Sequence, residues 1–299
     1  MWMICALLTF LCWGTADLFY KIGNKQEGNY NHLKTGIFVG LVMGIHATIY
    51  MLVKDITFNW IEIIRYLPVS LLYITSMVIG YKGLKYLELS IASPIQNSSG
   101  VITALLLLVF FKETLELPAY IAFLLILIGV ILLGIIEAKE EKDNRVAFKN
   151  MLTKKKVILL TIIFPIFYTI LDGLGTFLDA IYLDKMNLIS EDNALIAYEY
   201  TFLIYAIITY IYLKTKKEKL EIHKEKSKII AAIFETIGQF FYVYAMSGNA
   251  VIATPIVGSY CILSLIWSRI FLKEKLSKKH YIAIFLVIIG IIILGILDI

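Results

Sequence analysis

Five carboxylic acids lie inside apolar stretches of this chain, where a charged group is costly to place. They are Asp17, Asp172, Asp179, Glu199 and Glu235. On insertion scales a carboxylate near the middle of a bilayer costs about 2.5–3.5 kcal/mol, so such residues usually face a cavity and bind an ion or a substrate. The acids are therefore the first candidates for a functional site.

An aromatic residue precedes two of these acids by one helical turn. Trp13 and Asp17 are four residues apart, and Tyr168 and Asp172 have the same spacing, so each pair shares a helix face. The aromatic ring supplies cation–π attraction and the acid supplies charge, which together suit a cationic head group. Asp17 has a second interpretation, an interfacial ion pair with Lys21, because Lys21 lies four residues further on.

A third acid begins a polar stripe on one predicted helix. Glu235, Gln239 and Tyr242 are spaced i, i+4 and i+7, so they share a face. We expect Glu235 to face a cavity, and the alternative is a protonated acid hydrogen-bonded to a neighbouring helix. Asp179 and Glu199 lie close to the ends of their spans, so we interpret Asp179 as interfacial and Glu199 as snorkelling towards the interface.

The chain contains an internal duplication. The run Ile91–Ile95 returns as Ile252–Ile256 at an offset of 161 residues, and the same offset relates Lys112-Glu113 to Lys273-Glu274. Over residues 81–136 against 242–297 there are about 20 identities in about 56 positions without a gap. We predict two copies, residues 1–136 and 157–299, joined by a charged linker at 137–156, with the functional site between them.

The repeated motif carries a proline in each copy, and polar residues follow it. Gln96 and Asn97 come soon after Pro94, and Tyr260 comes soon after Pro255, where the first copy has Ser99. A proline frees a backbone carbonyl one turn earlier, and freed backbone is tolerated in a membrane where it lines a cavity. We therefore add these residues to the candidate substrate site, although small residues in the same runs could equally serve helix packing.

The composition identifies the class of protein. Hydrophobic residues make up 60% of the chain, mean hydropathy is +0.80, and 17% of residues are charged. A soluble domain of this size carries more charge and fewer apolar residues. The formal net charge of +5 comes from lysines in loops beside apolar spans, which excludes a nucleic-acid partner and points to the lipid bilayer.

Apolar stretches of about 20 residues recur along the chain, the length that crosses a bilayer. We predict an all-α integral membrane protein of ten transmembrane helices, arranged as two inverted five-helix repeats around a central cavity. The repeats are inverted because five is odd, so the second copy begins on the opposite face. The predicted spans are residues 2–20, 35–53, 66–86, 91–111, 119–136, 157–181, 194–213, 227–247, 252–271 and 281–296.

The loop charges predict an orientation. One set of loops holds about 24 of the 28 Lys and Arg residues, and the positive-inside rule puts that face in the cytoplasm. With ten spans this leaves both termini outside.

Several motifs resemble a known superfamily. Trp13-Gly14, the run Tyr81-Lys-Gly-Leu-Lys-Tyr86 before Ser93-Pro94, and Lys112-Glu113-Thr-Leu resemble the drug/metabolite transporter superfamily, EamA type. The second copy has Ala253-Thr-Pro255 and Lys273-Glu274-Lys-Leu. The resemblance implies ten helices in two inverted repeats, a central cavity, alternating access for a small metabolite, and both termini in the cytoplasm. The last point conflicts with the loop charges, so the orientation stays open.

The sequence contains no pattern typical of an enzyme, a metal site or a cofactor site. Cys5, Cys12 and Cys261 lie in apolar spans without metal-ligand spacing, and we interpret them as packing residues. We interpret His46, which lies within a span, as a lone polar packing residue. We find no nucleophile elbow or phosphate-binding loop.

We expect a secondary active transporter in the cell membrane, acting as a monomer or a homodimer. Its substrate would be a small polar metabolite that contains an amine or is cationic, with proton coupling left open. The alternatives are a membrane-embedded enzyme or lipid-handling protein that uses the intramembrane carboxylates, and a scaffold without a substrate.

Overall fold

The computed structural model describes residues 1–26, 28–85, 89–112, 116–148, 164–274 and 277–297, and these are helical with no strand. Short π-helical segments lie at Ile181–Lys185 and at Ser268–Leu272. The α-helices of the described residues are α1 (Trp2–Asn24), α2 (Asn31–Val53), α3 (Ile61–Leu84), α4 (Leu89–Asn97), α5 (Ser99–Phe111), α6 (Leu117–Phe148), α7 (Phe164–Ala180), α8 (Glu191–Thr215), α9 (Lys226–Gly258), α10 (Cys261–Trp267) and α11 (Lys278–Leu297).

The helices include segments suited to a membrane. Within the described ranges, six runs are long and apolar enough to cross one, and two shorter apolar helices lie at Ile102–Phe111 and Leu117–Gly129. The long runs are Trp2–Asn24, Asn31–Val53, Ile61–Leu84, Ile166–Lys185, Glu191–Thr215 and Lys226–Leu272. The prediction of an all-α membrane protein is therefore confirmed.

Helix α6 extends beyond the predicted fifth span. Helix α6 does not end at Ile136 but continues to Phe148, so the first part of the predicted linker is helical. Residues 137–148 are rich in Ala, Glu and Lys, which favour helix, and this explains the continuation. The rest of the linker and the predicted start of the sixth span, residues 149–163, lie outside the described residues, as does Glu113.

The two proline-containing spans, predicted as continuous helices, are each interrupted. Helix α4 ends at Asn97 and α5 begins at Ser99, while α9 ends at Gly258 and α10 begins at Cys261. The interruptions come four residues after Pro94 and Pro255, at the same 161-residue offset. A proline removes a backbone donor and crowds the turn that precedes it, so the prolines do not account for interruptions that follow them.

The predicted gap between the eighth and ninth spans is a kink within α9. Asn249 has a non-helical backbone (φ −164°, ψ 86°), and its side-chain Oδ1 accepts a hydrogen bond from the Ile252 amide at 3.2 Å. An asparagine in this position caps the helix that restarts after it.

Helices α6 and α11, one from each copy, pack against each other in a reciprocal way. A Cβ atom on Gly129 would lie 2.9 Å from the Ala283 carbonyl oxygen, and one on Gly290 would lie 2.7 Å from the Ala122 oxygen. Gly129 and Gly290 are related by the 161-residue offset, and so are Ala122 and Ala283. Each glycine thus allows close approach of the partner helix. The order of these contacts shows that the two helices run antiparallel.

Three other helix pairs also correspond to one another when the first and second copies are interchanged. Helix α1 packs on α9 and α3 packs on α7, while α2 packs on α8. If the first and second copies are interchanged, the pair α1–α9 becomes α7–α3, and the pair α2–α8 becomes itself. This pairing encloses a space between α1, α3, α7 and α9.

Candidate functional site: an acidic, aromatic cavity between the two copies

The enclosed space is a cavity of about 800 Å³, including the part that is open to solvent. Nine of the ten residues predicted for the substrate site line this one cavity: Trp13, Asp17, Gln96, Asn97, Tyr168, Asp172, Glu235, Tyr242 and Tyr260.

Asp17 is held by serines from both copies. Its Oδ2 accepts hydrogen bonds from Ser93 Oγ on α4 at 2.6 Å and from Ser264 Oγ on α10 at 2.7 Å. The Lys21 ammonium donates to the Leu84 carbonyl oxygen at 2.8 Å. Asp17 is therefore a buried residue that lines the cavity.

Asp172 is held in a corresponding way. Its Oδ2 accepts a hydrogen bond at 2.6 Å from Ser99 Oγ, the first residue of α5. Asp172 belongs to the second copy and accepts from Ser99 of the first copy. Asp17 belongs to the first copy and accepts from Ser264 of the second. Each copy thus contributes an aspartate that bonds to a serine of the other copy.

Glu235 is the third acid of the cavity and has a different environment. Its Oε2 accepts a hydrogen bond from the Tyr20 hydroxyl on α1 at 3.1 Å, and the residue is 7% exposed. Glu235 therefore both lines the cavity and bonds to a neighbouring helix, which combines the two interpretations drawn from the sequence.

Aromatic rings form much of the remaining wall. The Trp13 ring lies 4.9 Å from Tyr242 and 5.9 Å from Tyr260, measured between ring centroids. The Tyr73 hydroxyl is 2.8 Å from that of Tyr242, and Tyr73 also packs on Tyr198 at 5.7 Å. These contacts hold the rings in fixed orientations around the acids.

The electrostatic character of the cavity follows from its composition. Its described lining contains the three carboxylates but no Lys, Arg or His. The desolvated acids and the negative faces of the rings both attract positive charge. The arrangement can therefore bind a cation, and its polar hydroxyls and amides can orient a solute of moderate size.

Gln239 is the predicted site residue that does not line the cavity. It is 2% exposed, and its Nε2 has no hydrogen-bond partner among the described residues. Helix α9 packs against both α1 and α2, so neighbouring helices cover part of the stripe that begins at Glu235.

Sequence reasoning missed much of the wall that α3 contributes. Tyr73, Met77, Gly80, Tyr81 and Leu84 all line the cavity, and their spacing follows one helix face. That periodicity could have predicted a shared helix face. Because these residues carry no charge, however, the sequence alone does not distinguish them from residues that pack against other membrane helices. Tyr20, Tyr198 and Thr176 were also missed as lining residues.

Two acids interpreted as interfacial are in fact fully buried. The Asp179 side chain accepts a hydrogen bond from the Tyr66 hydroxyl, and Glu199 bonds through both oxygens to His46 Nδ1 at 2.8 Å. Both acids are 0% exposed. The snorkelling interpretation of Glu199 is wrong, and so is that of His46 as a lone packing residue, because each is the other's partner.

The model of one family matches most of the chain. The EamA-like transporter family matches residues 1–135 and 180–296, so this protein belongs to that family. The resemblance drawn from the motifs is confirmed, and with the apolar helices it identifies a multi-pass membrane protein of a transporter family.

Two relatives and one solved structure show how the likeness is distributed. "Uncharacterized protein MJ1333.1" of Methanocaldococcus jannaschii is 31% identical over 134 residues, which cover 44% of this chain and 96% of that protein. "Putative sugar uptake protein YxfA" of Lactococcus lactis subsp. lactis is 25% identical over 307 aligned positions, covering 98% of this chain and 97% of that protein. A solved structure described as "Crystal structure of protein" shares the fold, with a TM-score of 0.66 at 13% identity over 99% of this chain and 96% of its own.

Proposed function

We propose that this protein is a secondary active transporter of a small polar solute that carries an amine or another cationic group. It works by alternating access across the cell membrane, with a proton as the coupling ion. The observation that carries the proposal is the cavity between the two copies, whose described lining has three carboxylates, eight Tyr and Trp rings and no basic residue.

The proposal includes ten transmembrane helices in two inverted repeats. The reciprocal contacts of Gly129 and Gly290 support a pseudo-two-fold relation, because corresponding residues exchange places. Since α6 and α11 run antiparallel, the axis that relates them is perpendicular to the helices and lies in the membrane plane. The match of MJ1333.1 to 44% of this chain but 96% of its own length agrees with a duplication.

The interrupted helices give the cavity a place where the two copies can rearrange. The backbone between Asn97 and Ser99 and between Gly258 and Cys261 leaves regular helix, and Ser99 and Gly258 line the cavity. Discontinuous helices at a repeat interface are a recurring feature of transporter binding sites. A solute bound there would contact both copies, so rocking of one copy against the other would change its access.

A neutral carbohydrate is a second candidate substrate. The relative YxfA carries a sugar uptake name, and aromatic rings with amide and hydroxyl groups also suit a sugar. The two candidates differ in charge, because an amine uses the carboxylates as counter-ions and a neutral sugar uses them as hydrogen-bond acceptors.

The test is a thermal-shift screen of the purified protein with matched pairs of probes. The pairs are glucosamine with N-acetylglucosamine, putrescine with 1,4-butanediol, and choline with 3,3-dimethyl-1-butanol, and glucose is added for the carbohydrate candidate. A bound ligand raises the melting temperature in proportion to the logarithm of its concentration over Kd. We expect an amine to stabilise the protein and its neutral partner to have little effect.

The response should depend on the cavity acids. Asp172→Asn should abolish the shift, and Glu62→Gln should keep it, because Glu62 pairs with Arg65 at 2.8 Å and lies outside the cavity lining. Stabilisation by glucose alone would favour the carbohydrate, and stabilisation by anions alone would contradict both. Uptake of the stabilising probe into proteoliposomes, with the probe recovered chemically unchanged, separates transport from the enzyme alternative.

A further inference from the structure

A buried acid–imidazole pair lies between α2 and α8, apart from the cavity. His46 Nδ1 is 2.8 Å from both oxygens of Glu199, whose side chain is 0% exposed, while that of His46 is 31% exposed. An ionised carboxylate only accepts hydrogen bonds, so Nδ1 carries the proton and Nε2 is left to bind another. Neither residue lines the cavity.

Hydroxyl groups extend from this pair towards the end of the helices. The Tyr50 ring stacks on that of His46 at 5.8 Å, and its hydroxyl donates to Asp192 Oδ1 at 2.7 Å. The Tyr244 hydroxyl on α9 donates to the same oxygen at 2.7 Å. Asp192 is the second residue of α8, so this cluster connects the buried pair with the end of the bundle where α8 begins.

Helix α8 also connects the pair to the cavity. Glu199 is the neighbour of Tyr198, which lines the cavity and packs on Tyr73. Helices α2 and α8 are tightly packed, since a Cβ atom on Gly40 would lie 2.1 Å from the Phe202 carbonyl oxygen. If a change at Glu199 moves α8, Tyr198 moves too, because it lies on the same helix. Helix α2 moves with α8, because the two are tightly packed.

From these contacts we propose that the His46–Glu199 pair is the binding site for the coupling proton, separate from the cavity acids that bind the solute. This inference rests on the proposed function. A proton from water binds His46 Nε2, which changes the pair from one negative charge to none, and it leaves from the same atom on the other side of the cycle. Burial makes the uncompensated charge costly, so proton binding changes the stability of the α2–α8 contact.

The titratable groups around the pair come from all three helices that pack there. Within the described residues they are Tyr50 on α2, Asp192 and Tyr200 on α8, and Tyr244 on α9, and the Phe240 ring of α9 also packs on His46 at 5.9 Å. Of the pair and these surrounding groups, His46 is the one whose side-chain type ordinarily titrates between pH 5 and 8. The proton site is therefore assigned to the imidazole, with Glu199 as its counter-ion.

The test measures access to the cavity and needs no solute. Cys5, Cys12 and Cys261 are replaced by Ala, Met77 of the cavity wall is replaced by Cys, and the cationic reagent MTSET is applied at about pH 6 and about pH 8. Glu199→Gln is compared with Glu62→Gln in this background. The ordinary pH dependence of the thiol is common to both variants and cancels in the comparison.

We expect the ratio of MTSET rates at the two pH values to differ at least about threefold between the two variants, because only Glu199→Gln removes the counter-ion. His46→Gln, on the other helix, should behave as Glu199→Gln does, so the test remains informative if one variant does not fold. Equal ratios in a folded Glu199→Gln or His46→Gln variant and in the control would overturn the assignment. Failure of the solute screen would instead overturn the proposed function, without changing this readout.

Discussion

Residues that are repeated in the two copies are retained at the interface between α6 and α11. In the wall of the cavity, fewer of them are retained. At the interface, Gly129 and Gly290 make the same contacts with exchanged partners. In the cavity the copies diverge, since Gln96 and Asn97 of the first copy correspond to Val257 and Gly258 of the second. Repeated residues thus build the frame, and the cavity combines repeated residues, such as its two aspartates, with residues that differ between the copies.

Glu235 is the clearest case of this divergence. At the 161-residue offset the first copy has Ile74, a buried apolar residue, in its place. The two aspartates by contrast are present once in each copy, and each bonds to a serine of the opposite copy. The difference predicts that Glu235 and the aspartates will respond differently to substitution.

The largest effect should come from Glu235→Gln. The change keeps the shape but removes the charge of the acid that has a single hydrogen bond of 3.1 Å, so folding should change little. We expect the affinity for the amine found in the screen to fall at least tenfold, which corresponds to about 1.4 kcal/mol. Titration calorimetry gives the affinity, and an unchanged value would remove Glu235 from the site.

The frame should be sensitive at both of its related glycines. A Cβ on Gly129 or Gly290 would lie 2.9 Å or 2.7 Å from a backbone oxygen of the partner helix, so the helices must move apart. We expect Gly129→Ala and Gly290→Ala each to destabilise the protein by about 1–3 kcal/mol, and by similar amounts. Thermal unfolding in detergent measures this. A large loss in one variant with none in the other would contradict the reciprocal packing.

Substitution of the serines that hold Asp17 should have a smaller effect. Ser93→Ala and Ser264→Ala each remove one hydroxyl that donates to Oδ2, and the other serine remains in place. An intramolecular hydrogen bond contributes about 0.5–1.5 kcal/mol net, and the remaining serine still donates to Asp17, so each single variant should lose no more than that and the double variant clearly more. A double-mutant cycle on unfolding checks whether the two serines act on the same acid, and strict additivity would argue against it.

The smallest effect should come from the pair of Glu62 with Arg65, where α3 begins. The Glu62 side chain is 10% exposed, but Arg65 is 52% exposed and stays solvated without its partner, and Gln keeps the size of the Glu side chain. We expect Glu62→Gln to change the free energy of unfolding by less than about 1 kcal/mol. The same unfolding assay measures it. A larger loss would disqualify this variant as the control for the cavity and for the His46–Glu199 pair.

The sequence was sufficient for the frame and for the charged part of the site. Apolar length predicted the helices, and the cost of a buried acid identified Asp17, Asp172 and Glu235 before their contacts were known. These features depend on local properties of the chain, which a sequence displays directly.

Pairings between distant helices could not be predicted in the same way. His46 and Glu199 are 153 residues apart, and their partnership appears only when α2 lies against α8. Tyr73 and Tyr198 likewise meet across the cavity from helices far apart in sequence. An uncharged tyrosine in a membrane helix has no large desolvation cost. The sequence therefore gives no energetic reason to place it in a cavity and not in ordinary helix packing.

The central claim is that the cavity selects its solute by positive charge through acids of the second copy. The most direct measurement is the ratio of Kd values for glucosamine and N-acetylglucosamine, or for whichever amine pair responds, in the wild-type chain and in the Asp172→Asn, Glu235→Gln double variant. We predict that the wild-type protein prefers the amine at least tenfold, or about 1.4 kcal/mol, and that the double variant, which keeps Asp17, loses most of that preference. A wild-type ratio near one, or an undiminished preference in the double variant, would contradict the account.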